Sequence, residues 1–302
     1  MMASSDVSSR FQAGEPTPVV NAMSVDVEEY FQVSAFAGHI DPADWPELPS
    51  RVEANMERLL DLFAEHNARC TFFTLGWIAE RHKSMVRKII EAGHELASHG
   101  YGHVRATAQT SDQFRDDIRR TKTILEDVSG VAVNGYRAAS FSFDTTNPWA
   151  HAVLAEEGYS YSSSIYPVRH DHYGVPDAPR FCYSPAGKNG AIEYPLTTVK
   201  LLGRNFPCAG GGYFRLLPYG LSRWALNKVN EEDHCPAIFY FHPWEIDPDQ
   251  PRLCNPGAKT RFRHYVNLKA MEGKLAQLLS DFSWDRLDTV FAAESGSDGA
   301  RH

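Results

Sequence analysis

The sequence predicts an α/β protein, a mainly parallel sheet covered by helices and closed or distorted into a barrel. Two observations carry this. Short apolar runs of strand length alternate with segments of helical periodicity along most of the chain. The first strand then ends in SVDVEEYF, without the Gly-rich phosphate turn of an open doubly wound nucleotide fold. The only glycine cluster, Gly210-Gly211-Gly212, comes late and lacks the Lys-Ser/Thr of a nucleotide site.

The elements follow in order. Residues 19–26 are apolar and β-branched at intervals and form the first strand. Ser50 with Glu53 reads as a capping box, opening a helix with Met56, Leu59, Leu60 and Phe63 on one face. Residues 71–75 (TFFTL) are a short buried strand ended by Gly76. A helix through Met85, Ile89 and Ile90 stops at Gly93, a good C′ glycine. Residues 94–98 are a strand, Phe114, Ile118 and Leu125 have helical spacing, and residues 131–137 form the next strand. Asn147-Pro148 reads as an N-cap with Pro at N1, opening a helix that ends near Gly158. Residues 237–241 are a buried strand, 265–279 a helix and 288–291 a last strand. Residues 1–17 and 293–302 read as flexible tails flanking one domain over residues 18–292, without repeats or linkers.

Composition narrows the class. A hydrophobic fraction of 43% excludes global disorder. Thirty Lys+Arg against 38 Asp+Glu leave a formal charge of −8, which argues against a nucleic-acid partner. No run approaches the roughly 18 apolar residues of a transmembrane segment. The N-terminus lacks the basic start and apolar stretch of a signal peptide. Five cysteines without a CxxC pair fit reduced thiols. The expectation is a soluble, cytoplasmic globular protein.

In a barrel, chemistry sits at the C-terminal ends of the strands, and four such ends carry polar residues. The first is Asp26-Val27-Glu28-Glu29, where the period of two puts Asp26 and Glu28 on one face. Two carboxylates there repel unless a cation or proton separates them, yet the motif alone equally fits two exposed acids. The second is Ser98-His99-Gly100-Tyr101-Gly102-His103. Its glycines break a helix, but a loop can bring both imidazoles to one metal ion, with a carboxylate completing a three-ligand site. Taken alone, HxxxH is as often a pair of surface histidines. The third, Gly135-Tyr136-Arg137, offers an arginine that would hold a catalytic carboxylate or simply form a solvent salt bridge. The fourth delivers His242 from the apolar 238–241 run, a candidate general acid or base, or a satisfied core histidine.

The order of these motifs resembles the polysaccharide deacetylases, the NodB-homology carbohydrate esterases. More closely it is similar to the subgroup associated with exosortase (PEP-CTERM) exopolysaccharide loci. The carrying segments are SVDVEEYFQV (24–33), TFFTLGW (71–77), HELASHGYGH (94–103), GYRAASFSF (135–143), YSYSSSIYP (159–167), GGGYFRLLP (210–218), FYFHPWEIDP (239–248) and FRHYVNLKAMEGKLAQLL (262–279). The resemblance spans roughly residues 20–292. It implies a distorted (β/α) barrel, a divalent metal, usually zinc, and hydrolysis of an N-acetyl group on a sugar. It further implies that Asp26 is the general base, that Arg137 orients it, that His242 is the acid, and that His99 and His103 bind the metal. The same-face argument selects Glu28 over Glu29 as third ligand. Three departures stand out: Val27 follows Asp26 where most relatives have two adjacent aspartates, Ala139 replaces the expected proline, and Ser162 replaces the aspartate of the usual Tyr-Asp-Ser-Ser pattern.

The resulting expectation is metal-assisted removal of N-acetyl groups from an exopolysaccharide or its lipid-linked precursor. Tyr101, Tyr213 and Trp244 are the expected sugar-binding aromatics, with Tyr30 and Phe31 as further candidates. Two alternatives remain open: an amidohydrolase of the same fold acting on a small cyclic imide or ureide, and an inactive carbohydrate-binding relative.

Overall fold

The computed structural model describes residues 19–171, 173–187, 190–253 and 257–292. Both expected tails and Cys254 lie outside the described residues.

The strands are β1 (Val20–Val27), β2 (Thr71–Thr74), β3 (Glu95–Ser98), β4 (Gly135–Tyr136), β5 (Tyr161–Ser162), β6 (Ile192–Glu193), β7 (Thr198–Leu201), β8 (Arg204–Pro207), β9 (Ile238–Phe241) and β10 (Ser283–Asp285). The helices are α1 (Val52–Glu65), α2 (Gly76–Arg81), α3 (Lys83–Glu91), α4 (Ser111–Ser129), α5 (Ala150–Glu156), α6 (Gly211–Leu216), α7 (Tyr219–Glu232), α8 (Ala258–Tyr265), α9 (Leu268–Asp281) and α10 (Leu287–Val290).

All strands but β7 and β8 form one parallel sheet in the order β10-β1-β2-β3-β4-β5-β6, with β9 also paired to β1. The sheet curls into a half-barrel. Among the described residues no ladder joins β6 to β9; instead the Thr197 hydroxyl accepts the Ile238 amide at 2.6 Å.

β1 is the central strand, and its residues from Asn21 to Val27 are all buried. Met23, Val25 and Val27 face the helical layer with Met56, Leu59, Phe63, Phe72 and Ile118. Ala22 faces the barrel interior, which Phe73, Tyr161, Tyr166, Tyr194, Tyr240 and Phe291 fill. Burying a side chain such as Phe72 contributes about 1.5–3 kcal/mol, so the outer layer supplies most of the stability. The inner layer is richer in tyrosine, because the interior must also carry the polar groups of the site.

The distorted barrel expected from the sequence is therefore present, with corrections at several elements. Ser50 and Glu53 make no capping box. The Ser50 hydroxyl bonds the Glu29 carboxylate at 2.5 Å, and Glu29 Oε1 also accepts the Arg51 and Val52 amides, so a distant glutamate caps α1. The expected 131–137 strand shrinks to Gly135–Tyr136, and Val131 is exposed. Asn147 binds the Asp144 amide and Ser142 carbonyl rather than a helix end, and α5 starts at Ala150. The 265–279 helix is split at Asn267, whose φ is +51°. The last strand is β10, and residues 287–290 are α10. No helix among the described residues is long and apolar enough to cross a membrane.

Candidate active site

Parallel pairing puts the ends of β1, β2, β3, β4, β5 and β9 at one rim, and every expected chemical residue but the aromatics comes from there. Asp26 lies within β1 and Glu28 directly follows it; His99 follows β3, Arg137 follows β4, and His242 follows β9.

Arg137 is fully buried. Its Nη1 donates to Asp26 Oδ1 at 2.6 Å and to the Ser24 hydroxyl at 2.9 Å. Nε donates to the Ser163 carbonyl and Nη2 to the Ser163 hydroxyl, each at 3.0 Å, and the guanidinium lies 4.0 Å from the centre of the Phe73 ring. An arginine buried on this scale survives only because its donors are matched and its charge is paired. Ser24 and Asp26 point inward together because they are two apart on one strand.

The Ser163 turn is itself fixed from below. The Glu193 carboxylate accepts the Ser164 and Ile165 amides at 2.8 and 2.7 Å and pairs with His151 at 2.9 Å.

His99 Nδ1 lies 2.8 Å from the Arg137 carbonyl. A carbonyl only accepts, so Nδ1 carries the proton and Nε2 keeps a lone pair. His103 reaches back from a left-handed bend, φ +55°, to put Nε2 3.0 Å from Glu28 Oε2. Gly100, at φ +75°, makes the preceding turn possible, and any Cβ there would meet the Asp117 carboxylate at 2.9 Å. Burial holds His99 below the usual histidine range and His103 well below it, so both imidazoles are neutral donors.

Glu28 is the outlier. Burial, with Asp26 adding to it against His242, raises its carboxyl to about 7, and Oε2 is buried without a hydrogen-bond partner. The ligand atoms of Glu28, His99 and His103 lie within 4.8 Å of one another. A buried carboxylate oxygen without a hydrogen bond beside two neutral imidazoles fits a divalent cation, which would supply the missing positive charge. Glu29, by contrast, is used up in capping α1.

His242 stands opposite, with Nε2 3.4 Å from Glu28 Oε1 and 3.9 Å from Asp26 Oδ2. Its Nδ1 is 2.9 Å from Glu245 Oε1, and Arg215 Nε donates to Glu245 Oε2 at 2.6 Å. Arg215 is locked by the carbonyls of Arg263, His264 and Val266. Burial works against a charged His242, but Glu28, Glu245 and Asp26 outweigh it and raise the imidazole to about 9. Gly211 explains the glycine cluster: a Cβ there would sit 2.2 Å from Glu245 Oε1.

Sequence reasoning missed Ser24, Ser163, Glu193, Arg215 and Glu245. Two signals were readable: Ser24 is two residues before Asp26, and Glu245 is three after His242. Arg215 and Glu193 had none, since their partners are distant in sequence.

The expected sugar-stacking aromatics divide. Tyr213 is half-buried beside the Asp171–Arg263 pair. Trp244 is a buried wall, stacked on both His242 and His264 and donating its indole N–H to Glu28 Oε1 at 3.4 Å. Tyr101 has the Arg120 guanidinium 3.5 Å from its ring centre, and its hydroxyl donates to Glu80. Both the ring and the hydroxyl of Tyr101 are thus engaged by protein groups. Tyr30 and Phe31 are buried core.

Residues 44–161 match the polysaccharide deacetylase family, and residues 163–292 match a domain of unknown function, DUF3473. Asp26 and Glu28 precede both matches. The chain is 28% identical over 151 residues to the peptidoglycan deacetylase of Helicobacter pylori, covering 49% of this chain and 50% of that protein. It is 35% identical over 75 residues to a peptidoglycan-N-acetylglucosamine deacetylase of Bacillus cereus, covering 25% and 27%. The chain thus spans about half the length of the first relative and about a quarter of the second. A solved structure from Mycobacterium smegmatis, assigned to the polysaccharide deacetylases, superposes with a TM-score of 0.60 over 95% of this chain and 99% of that one. Their identity is 20%, so the likeness is one of fold.

Proposed function

We propose, from the match of residues 44–161 to the polysaccharide deacetylase family and of residues 163–292 to DUF3473, that this chain is a metal-dependent hydrolase removing N-acetyl groups from a sugar. The substrate class we propose is an exopolysaccharide or its lipid-linked precursor. The observation that carries the chemistry is the meeting of two opposed groups, Asp26 on Arg137 and His242 on Glu245, on either side of Glu28.

Glu28, His99 and His103 are the residues that would hold the ion. When bound, a divalent cation supplies Lewis acidity toward the acetyl carbonyl and acidifies a water. Asp26 accepts the proton of the attacking water, and Arg137 pins one oxygen of that carboxylate so that the other is aimed into the site. His242, charged at neutral pH, donates a proton to the departing amine nitrogen. Glu245 keeps the proton-bearing imidazole in place. Amide hydrolysis suits this set better than glycosidic cleavage, which typically uses two carboxylates flanking the bond. An inactive binding relative would have no use for a base and an acid each held by its own buried ion pair.

The test is incubation with N-acetylglucosamine oligomers and N-acetylated lipid-linked glycans, following acetate release and free amine. Shortened chains with every acetyl group retained would overturn the reading, as would turnover confined to cyclic imides. His242→Ala is expected to keep the metal and lose about a hundred- to ten-thousand-fold in rate.

A further inference from the structure

The β7–β8 hairpin has an anomaly at its tip that the active site does not explain. The register Leu201↔Arg204 leaves a two-residue turn, Leu202-Gly203, with φ of +49° and +76°. Positive φ at both positions makes it a type I′ turn, for which Asn-Gly or Asp-Gly is favoured. Gly203 fits, whereas Leu202 places a Cβ where L-residues are strained. Packing offers no compensation, because Leu202 is 102% exposed, as open as in an extended chain.

The surroundings are equally specific. Lys200 and Arg204, both exposed, flank the tip and make no side-chain ion pair or hydrogen bond among the described residues. Phe206, on β8, is 45% exposed. On a chain of formal charge −8 this is a local basic spot with an apolar point at its centre.

We propose that this hairpin docks on an anionic lipid bilayer, Leu202 entering the headgroup boundary while Lys200 and Arg204 pair with lipid phosphates. One apolar insertion combined with basic charge is the two-signal logic of reversible membrane association. A projecting point also favours lipid over a protein partner, since one leucine and its neighbours bury far less area than a stable protein interface requires. The inference does not rest on the reading of the active site, and its test reads binding rather than turnover.

The full chain is sedimented with vesicles of phosphatidylcholine alone and of phosphatidylcholine mixed with phosphatidylglycerol. Binding is expected only to the anionic vesicles and is expected to weaken with salt. Leu202→Asn installs the favoured turn pair, so the fold should hold or gain thermal stability while vesicle affinity falls about tenfold or more. Leu202→Gly, equally at ease at positive φ, should behave alike. The double change Lys200→Glu, Arg204→Glu should erase the preference for anionic lipid. Wild-type protein that ignores anionic vesicles, binds both compositions equally, or binds no better than Leu202→Asn would overturn the proposal.

Discussion

The Glu245 carboxylate holds His242 with one oxygen, at 2.9 Å, and Arg215 with the other, at 2.6 Å. The arginine and the histidine keep this glutamate well below the usual carboxylate range, at about 2, despite its burial. The imidazole therefore always faces a negative charge, which fixes its orientation and favours its protonated form.

Glu245→Gln should keep the fold and the metal but lower kcat by at least tenfold, with a smaller change in KM, because the loss falls on the transition state. Gly211→Ala should produce a similar kinetic defect from outside the ion pair, since the new methyl would collide with Glu245. Overpacking of this kind typically costs about 1–3 kcal/mol, so a lowered melting temperature should accompany it. Full activity in both variants would show that His242 needs no partner.

Arg137 and Asp26 form the complementary pair on the other side of the site. Arg137→Ala would leave Asp26 buried without its cation, at a cost of about 3–5 kcal/mol and nearly all turnover. Arg137→Lys keeps a charge but not the fork that spans Asp26, Ser24 and Ser163, so it should recover stability better than rate. Steady-state kinetics beside denaturant unfolding separates the two effects. Equal recovery of both would argue that charge alone matters.

The fold was legible because the apolar runs at residues 71–75 and 237–241 are buried on both faces, as strands of a parallel sheet are. At two of the misread elements a distant partner overrode or replaced a local signal. Ser50 has the side chain of a helix cap, yet Glu29, twenty-one residues earlier in the chain, takes both the serine and the helix amides. Residues 283–285 contain one largely apolar side chain, Trp284, so their pairing with β1 left no pattern to read. Within the site, Asp26, Glu28, His99, His103, Arg137 and His242 were legible because each ends or directly follows a strand-like run or stands in the short loop behind one. Arg215 was not, because its meaning depends on Glu245, thirty residues onward.

Glu28 and Glu29 offer a contrast between neighbours of the same type. Glu28→Gln should lose bound metal, measured by elemental analysis of the purified protein, while leaving unfolding stability in the metal-free form unchanged or raised. The reason is that ionising this carboxyl without a cation opposes burial. Glu29→Gln should retain about one metal per chain and lose about 1–2 kcal/mol, the value of a helix cap. Removal of metal with a chelator should abolish activity in the wild type, and zinc or cobalt should restore it. Metal lost from Glu29→Gln and kept by Glu28→Gln would exchange the two roles.

Glu95 is a buried carboxyl away from the reaction, and it gives the stability a pH dependence of calculable sign. It lies in β3, where it accepts hydrogen bonds from the Thr71 hydroxyl at 2.5 Å and the Tyr161 hydroxyl at 2.7 Å. Burial, with Asp288 nearby adding to it, raises its carboxyl from 4.5 to about 7. The folded chain therefore holds this proton more tightly than the unfolded chain. Between these two values the native state binds more protons, and unfolding free energy falls as pH rises. The contribution is fully present below about pH 4.5 and is lost as pH rises through about 7. Glu95→Gln removes the ionisation; its one carbonyl oxygen accepts from either Thr71 or Tyr161, and its amide can donate to the other hydroxyl. Urea unfolding of the metal-loaded protein across this range should show wild type losing stability relative to Glu95→Gln as pH rises. Two parallel curves would mean that Glu95 ionises in the fold without cost, its three donors, Thr71, Tyr161 and the Asp288 amide, replacing water in full.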